Sequence, residues 1–225
     1  MVLIEDQLID EEVQACGPGL MAANAFALEG HLRYASLFFQ TSCFWDYYAP
    51  LLQESWNDLL LERQLHIDAS ERLTEIDDEL QKSKINSLKI AAIAVAVLNR
   101  RDETIPQLLR YLEHWQLACQ RLDDLVDWRV DLGTKNYTRI LALAGATGNQ
   151  GADARMQQFF SSKIFGKYLD EVLDNYRVAE SQCPRRDGYL HQHVADLIDK
   201  LAALRKSYEV FVEATDRLKS SFDIE

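Results

Sequence analysis

The sequence predicts an all-α protein, a single bundle of about seven to nine helices around a central cavity. Three observations predict it. Only 9 Gly and 4 Pro punctuate 225 residues, too few for the many tight turns that short strands need. Hydrophobic residues make up 48% of the chain, ample for a core, so residues 1–225 are expected to form one helical domain. Apolar residues recur at helical spacing, and no strand–helix alternation breaks the pattern.

The elements follow in order. Residues 1–15 carry a short acidic amphipathic segment, broken by Cys16-Gly17-Pro18-Gly19. A helix is expected from about Met21 to Tyr48; no charge falls between Tyr34 and Trp45, so that part is expected to be buried all round. Pro50 marks a bend or a new helix start. Leu51–His66 reads as a Leu-rich amphipathic helix, and Asp68 or Ser70 caps another through Lys84. Asn86–Asn99 contains LKIAAIAVAVL, too long for a typical strand and rich in Ala, and reads as a buried helix. After a turn at Arg100–Thr104, Pro106 suits the first turn of a helix that ends near Leu132, with Gly133 as its stop. Gly145, Gly148 and Gly151 have the spacing of a nucleotide-binding loop, but that loop needs a strand before it and a parallel sheet around it, so they read as a flexible loop near the mouth of the site, of the kind that can close over substrate. Met156–Glu180 and Tyr189–Phe222 are the last helices, joined by a loop at Cys183–Gly188.

Charge narrows the function. A net charge of −12 argues against nucleic acid or an anionic membrane as partner. An anionic substrate would need local positive charge or a metal to be drawn in. No apolar run approaches the roughly 20 residues of a spanning helix. Cys16, Cys43, Cys119 and Cys183 lie far apart with no CxxC, and Glu5, Asp6, Asp10, Glu11 and Glu12 crowd the start; a reducing cytoplasm without a signal peptide is expected.

The chemistry concentrates in Leu117–Thr138, LACQRLDDLVDWRVDLGTKNYT. With about 100° per helical residue, Gln116, Gln120, Asp123, Asp124, Asp127 and Asp131 share one line. Arg110, His114, Arg121 and Arg129 gather on another side, the natural one for water, and apolar residues fill most of the rest. That pattern suggests a helix buried on most sides with its carboxylates aimed into a cavity. Four crowded carboxylates repel one another. A hard divalent cation would relieve this, and Mg²⁺ prefers carboxylate together with substrate phosphate. The plainer alternative is an acidic solvated face, with Arg121 and Arg129 as surface partners.

This block resembles the second aspartate-rich segment of the class I isoprenoid synthases, including the polyprenyl diphosphate synthases and the squalene/phytoene synthase branch. The residues that carry the resemblance are Gln120, Asp123, Asp124, Asp127, Asp131, Gly133, Lys135 and Thr138. It implies Mg²⁺ held by Asp123, Asp124, Asp127 and Asp131, with Asp123, Asp124 and Asp127 as the catalytic acids. It also implies Gln120 as an orienting group, and Lys135 with Lys82 or Lys84 against a prenyl diphosphate. An earlier first aspartate-rich motif is implied too. Asp46 is its best positional candidate, although Tyr47, Tyr48, Ala49 and Pro50 follow it rather than further acids, and a helix cap is its other reading. Asp77, Asp78 and Glu79 are a second candidate, within a run of mixed charge that also reads as solvated surface.

The activity expected from the resemblance is Mg²⁺-dependent ionisation of an allylic prenyl diphosphate, as in a prenyltransferase or terpene synthase. Coupling, cyclisation or hydrolysis then decides the fate of the cation. The alternative is a catalytically impaired relative that binds or scaffolds, as a homodimer or beside a partner subunit. A helical di-iron protein using Glu62/His66 or Glu113/His114 is a third reading, disfavoured because no Glu-x-x-His pair repeats. Arg185 and Arg186, set against diphosphate, read better as solvated charge, and His191 and His193 point in different directions on one helix.

Overall fold

The computed structural model describes residues 17–68, 73–134, 138–146, 151–186 and 188–221, with side chains placed outside 17–24, 26, 59, 62–68, 73–77 and 218–221. Among the described residues stand nine α-helices and no strand. They are α1 (Gly17–Leu37), α2 (Phe44–Asp68), α3 (Leu73–Ser83), α4 (Asn86–Leu98), α5 (Ile105–Thr134), α6 (Arg139–Leu143), α7 (Ala152–Phe160), α8 (Lys163–Gln182) and α9 (Tyr189–Ser221), with a 3₁₀ turn at Asp102–Thr104. The all-α expectation holds. None of the described helices is long and apolar enough to cross a membrane.

Helix α5 is the axis. Its 30 residues make a rod of about 45 Å. Helix α8 runs antiparallel along it: His114 Nδ1 lies 2.8 Å from Asn175 Oδ1, and Tyr168 donates its hydroxyl to the Arg121 carbonyl at 2.8 Å. Helix α9 runs back along α8. The Arg205 guanidinium grips Asp170 with two hydrogen bonds of 2.8 and 3.0 Å, and the Tyr208 hydroxyl donates to the Ser162 carbonyl. Gly166 lies under the Tyr208 ring, where an added Cβ would come within 3.2 Å of it. Helix α4 turns back along the first half of α5, joined to it by Lys89 and Glu113 at 3.1 Å.

Two apolar clusters flank α5. One gathers Tyr111, Trp128, Ile140, Met156, Tyr168 and Val172 from α5 to α8. The other gathers Phe38, Phe44, Tyr48, Ile90, Ile93 and Ile105, with Phe38 and Phe44 stacked at 4.2 Å and 13°.

Several boundaries differ from the sequence reading, each for a physical reason. The helix expected over Met21–Tyr48 breaks at 38–43, where Ser42 accepts a hydrogen bond from the Phe44 amide and α2 starts afresh. Pro50 does not start a helix. It stands inside α2, where its missing N–H forfeits one ladder bond. The helix expected over Met156–Glu180 is interrupted because the Ser161 and Ser162 hydroxyls donate back to the Gln157 and Phe159 carbonyls at 2.8 and 2.7 Å, a competition typical of serine. The stretch after Tyr34 is not buried all round, since Leu37 is 55% and Phe39 88% exposed. Nor is α4, whose Leu88, Val95 and Leu98 face outward. Gly145 and Gly151 take positive φ, 63° and 72°, as loop residues; Gly148 lies outside the described residues.

Phe44 is wholly buried and Phe39 is not. Phe44→Ala is therefore expected to cost about 3–5 kcal/mol in denaturant unfolding. Phe39→Ala is expected to stay within about 0.5 kcal/mol. Equal losses at the two positions would contradict this packing.

Candidate functional site

The second half of α5 carries the acidic stripe. Asp123 and Asp127 are exposed, Asp131 is half-buried, and Asp124 is buried. Gln120 donates from Nε2 to Asp124 Oδ1 at 3.1 Å, the i, i+4 pairing that one helix face allows. The expectation of a helix aiming all four carboxylates inward is thus met by Asp124 and half-met by Asp131, while Asp123 and Asp127 meet solvent.

The expected water-facing basic side holds at Arg110 and Arg129, which are exposed, and fails at Arg121. Arg121 is only 3% exposed. Its two terminal nitrogens reach Asp78 of α3 and, at 3.4 Å, Glu171 of α8. Arg139, the first residue of α6, reaches the same two carboxylates at 3.6 and 3.0 Å. Two guanidinium groups and two carboxylates form a closed, electrically neutral ring that ties four helices together. An arginine can be buried when carboxylates at its terminal nitrogens match its charge. Burying one paired arginine costs less than burying four like-charged acids, and this decides which side of α5 turns inward. Arg129 remains on the surface as expected, over the Trp128 ring at 4.7 Å.

The other predicted residues scatter. Lys82 pairs with Glu79 on its own helix at 2.6 Å, Lys84 is half-buried at the end of α3, and Lys135 lies outside the described residues. The basic residue that α4 does deliver to α5 is Lys89, 2% exposed and paired with Glu113. Asp46 sits in the first turn of α2, where an acid favours the helix N-terminus. Three residues earlier, Cys43 donates to Asp102 at 3.4 Å, just ahead of α5. Asp123 comes 18 residues after the first residue of α5, which puts Asp46 about 27 Å back along that helix. Of the two first-motif candidates, Asp78 reaches the acidic segment of α5 and Asp46 does not. Asp77 and Glu62/His66 lie outside the described side chains. Glu113 and His114 are engaged by Lys89 and Asn175. Among the described residues, no three His, Cys, Asp or Glu side chains gather as a metal-holding group.

Glu171, Arg139 and Lys89 escaped the sequence reading. Arg139 directly follows the Thr138 that closes the resembled block, which is the one available signal. Thr138 itself is buried, and its hydroxyl oxygen makes no hydrogen bond to the described residues. Compared with family models, with curated proteins and with solved structures, the chain gives no match.

Between them α5 and α8 bury Tyr111 and Tyr176 and half-bury Cys119, with Cys119 Sγ 3.5 Å from the Tyr176 hydroxyl. Burial, with Cys183 and Cys119 close by, pushes the Tyr111 phenol up to about 12. Burial first, then the Cys119 hydrogen bond, pushes Tyr176 up further. Burial also raises the Cys119 thiol.

Two outcomes follow from this geometry. Arg121→Ala empties a buried site and separates Asp78 from Glu171; because those carboxylates are half-exposed, the expected loss is about 2–4 kcal/mol, read by urea unfolding. The tyrosines set an alkaline limit. Their folded-state values lie above the unfolded value of about 10, so the stability they contribute is complete below pH 10 and is lost as pH rises above it, through about 12 for Tyr111 and higher for Tyr176. Thermal scans from pH 8 to 12 with absorbance at 295 nm should show a falling Tm above about pH 10, and Tyr111→Phe should flatten that slope.

Proposed function

We propose that this protein is a class I isoprenoid synthase-like protein that takes a prenyl diphosphate at the outer face of the second half of α5. The observation that carries the reading is the pair Asp123 and Asp127, exposed one helical turn apart within the block Gln120–Thr138. The chemistry of this donor set suits Mg²⁺, which retains several waters and binds through one or two carboxylates plus substrate phosphate, without a complete protein cage. Bound there, Mg²⁺ would neutralise the diphosphate and favour its departure as pyrophosphate. Asp123 and Asp127 would hold the cation. Asp131, half-buried one turn further on, would extend the same line. Gln120 fixes Asp124 by a hydrogen bond, and the arginine ring holds this stretch of α5 rigid, so the two exposed acids keep their spacing as charge develops.

A second reading is a relative that binds without turnover, as a scaffold or partner subunit. The position of Asp46, far back along α5, favours it, because no second pair of described acids is thereby brought opposite Asp123 and Asp127.

Incubation with Mg²⁺ and C10, C15 or C20 allylic diphosphates, read by pyrophosphate release, separates the two. Turnover that falls at least about 100-fold in Asp127→Ala, with the fold intact, supports the synthase reading. Mg²⁺-dependent binding without release supports the scaffold. Binding unaffected by Asp123→Ala and Asp127→Ala removes both.

A further inference from the structure

Helix α1 is fastened by other means than its neighbours. Hydrogen bonds or ion pairs between helices tie α2 to α4, α4 to α5, α5 to α3 and α8 to α9. In α1, Glu29 and Arg33 pair with each other at 2.7 Å, and the Ser36 hydroxyl donates to the Arg33 carbonyl. Among the described residues, no hydrogen bond or ion pair joins α1 to another helix. Of residues 25 and 27–37, only Ala27, Gly30 and Tyr34 are turned from solvent, a line at the 3-4 spacing of one helix face. Gly30 adds no contact there, since a Cβ built on it would meet nothing within 4 Å.

What holds α1 is a set of ring contacts with the start of α2. Tyr34 lies 5.0 Å from Phe44 and 5.6 Å from Tyr48, centroid to centroid. His31 lies 5.5 Å from Trp45 and 5.6 Å from Tyr48. The connector that follows is held by directional bonds instead. The Phe39 carbonyl accepts the Trp45 indole N–H and the Ser42 amide, both at 2.9 Å. Cys43 reaches Asp102, and Phe38 stacks on the buried Phe44 ring. The attachment therefore changes character between Leu37 and Phe38.

We propose that α1 is a releasable strap. It lets go as one unit, with residues 38–43 as a fixed anchor, and uncovers the aromatic surface of Phe44, Trp45 and Tyr48 while the rest of the bundle stays folded. An element with few buried contacts opens at a free energy well below that of global unfolding. The opening is cooperative for two reasons. His31 and Tyr34 both rest on the Tyr48 ring, so the loss of one contact loosens the other. A detached helix of 21 residues is also marginal in water, so release and melting are one event. The proposal is independent of any chemistry on α5.

Hydrogen exchange of the full chain, resolved amide by amide, tests it. Amides of residues 27–37 should share one opening constant and be at least about 100-fold less protected than those of α5 and α8. The Ser42 amide, bonded within the anchor, should keep its protection. Tyr34→Ala should speed exchange across 27–37 at least about tenfold and leave Tm and the exchange of α5 and α8 unchanged. Gly30→Ala, whose added methyl meets nothing, should slow exchange in α1 alone about fivefold through helix propensity. Protection in α1 equal to that in α5 overturns the proposal. So does protection that falls steadily from residue 37 back to residue 27, which is fraying from one end rather than release. A Tyr34→Ala variant with a lowered Tm, or with faster exchange in α5, would make α1 part of the core and overturn it as well.

Discussion

One guanidinium group organises this protein. Arg121 stands at the middle of the longest buried contact, between α5 and α8, and its charge can be hidden there only because α3 and α8 each send a carboxylate to it. Arg139 completes the ring from the short helix α6, so four helices share a single set of charge-assisted hydrogen bonds. The backbone takes part as well, for the carbonyl of Arg121 itself receives the Tyr168 hydroxyl. The rotation of α5 about its own axis follows from this. Once Arg121 and Trp128 face inward, Asp123, Asp127, Val126 and Val130 must face out.

That rotation divides the acidic segment into two kinds of residue. Asp124 belongs to the interior and is held by Gln120; Asp123 and Asp127 belong to the solvent side. The distinction matters for any cation bound here, because an exposed pair leaves most of the coordination shell to water and to a phosphorylated ligand. The buried side of these few turns is fixed by hydrogen bonds and ion pairs, and the exposed side carries the two acids proposed to hold a cation. The lysines follow a similar logic. Lys89 is spent on holding α4 to α5, and Lys82 is satisfied within α3.

Local pattern made the helical class legible, and it located α5 and α9 to within a few residues. Scarce Gly and Pro and the spacing of apolar residues were sufficient, since helices depend on near neighbours. Three misreadings have distinct causes. Ser161 and Ser162 interrupt a helix through hydroxyl bonds that apolar periodicity does not register. Pro50 falls inside α2, where a proline rule based on local sequence expects a break. Arg121 reads as surface because its counter-charges lie 43 and 50 residues away, beyond any local window. The apolar runs around Leu37 and in α4 read as buried from composition alone, whereas Leu37, Phe39, Leu88, Val95 and Leu98 are exposed. Asp46 is a candidate by position in the chain alone, and the contact of Cys43 with Asp102 sets it toward the start of α5, away from Asp123.

The glycine at 166 gives α9 a particular mechanical character. Arg205 and Tyr208 pin that helix to α8 beside Gly166, and the residues beyond Tyr208 run on past the start of α8 at Lys163. The pinned point is a fulcrum and the overhang is a lever. Any side chain at 166 would displace the fulcrum by a few tenths of an ångström, and the far end would swing by more, in proportion to its distance. Small volume at one buried position thus sets the angle at which the last turns of the chain leave the body of the protein.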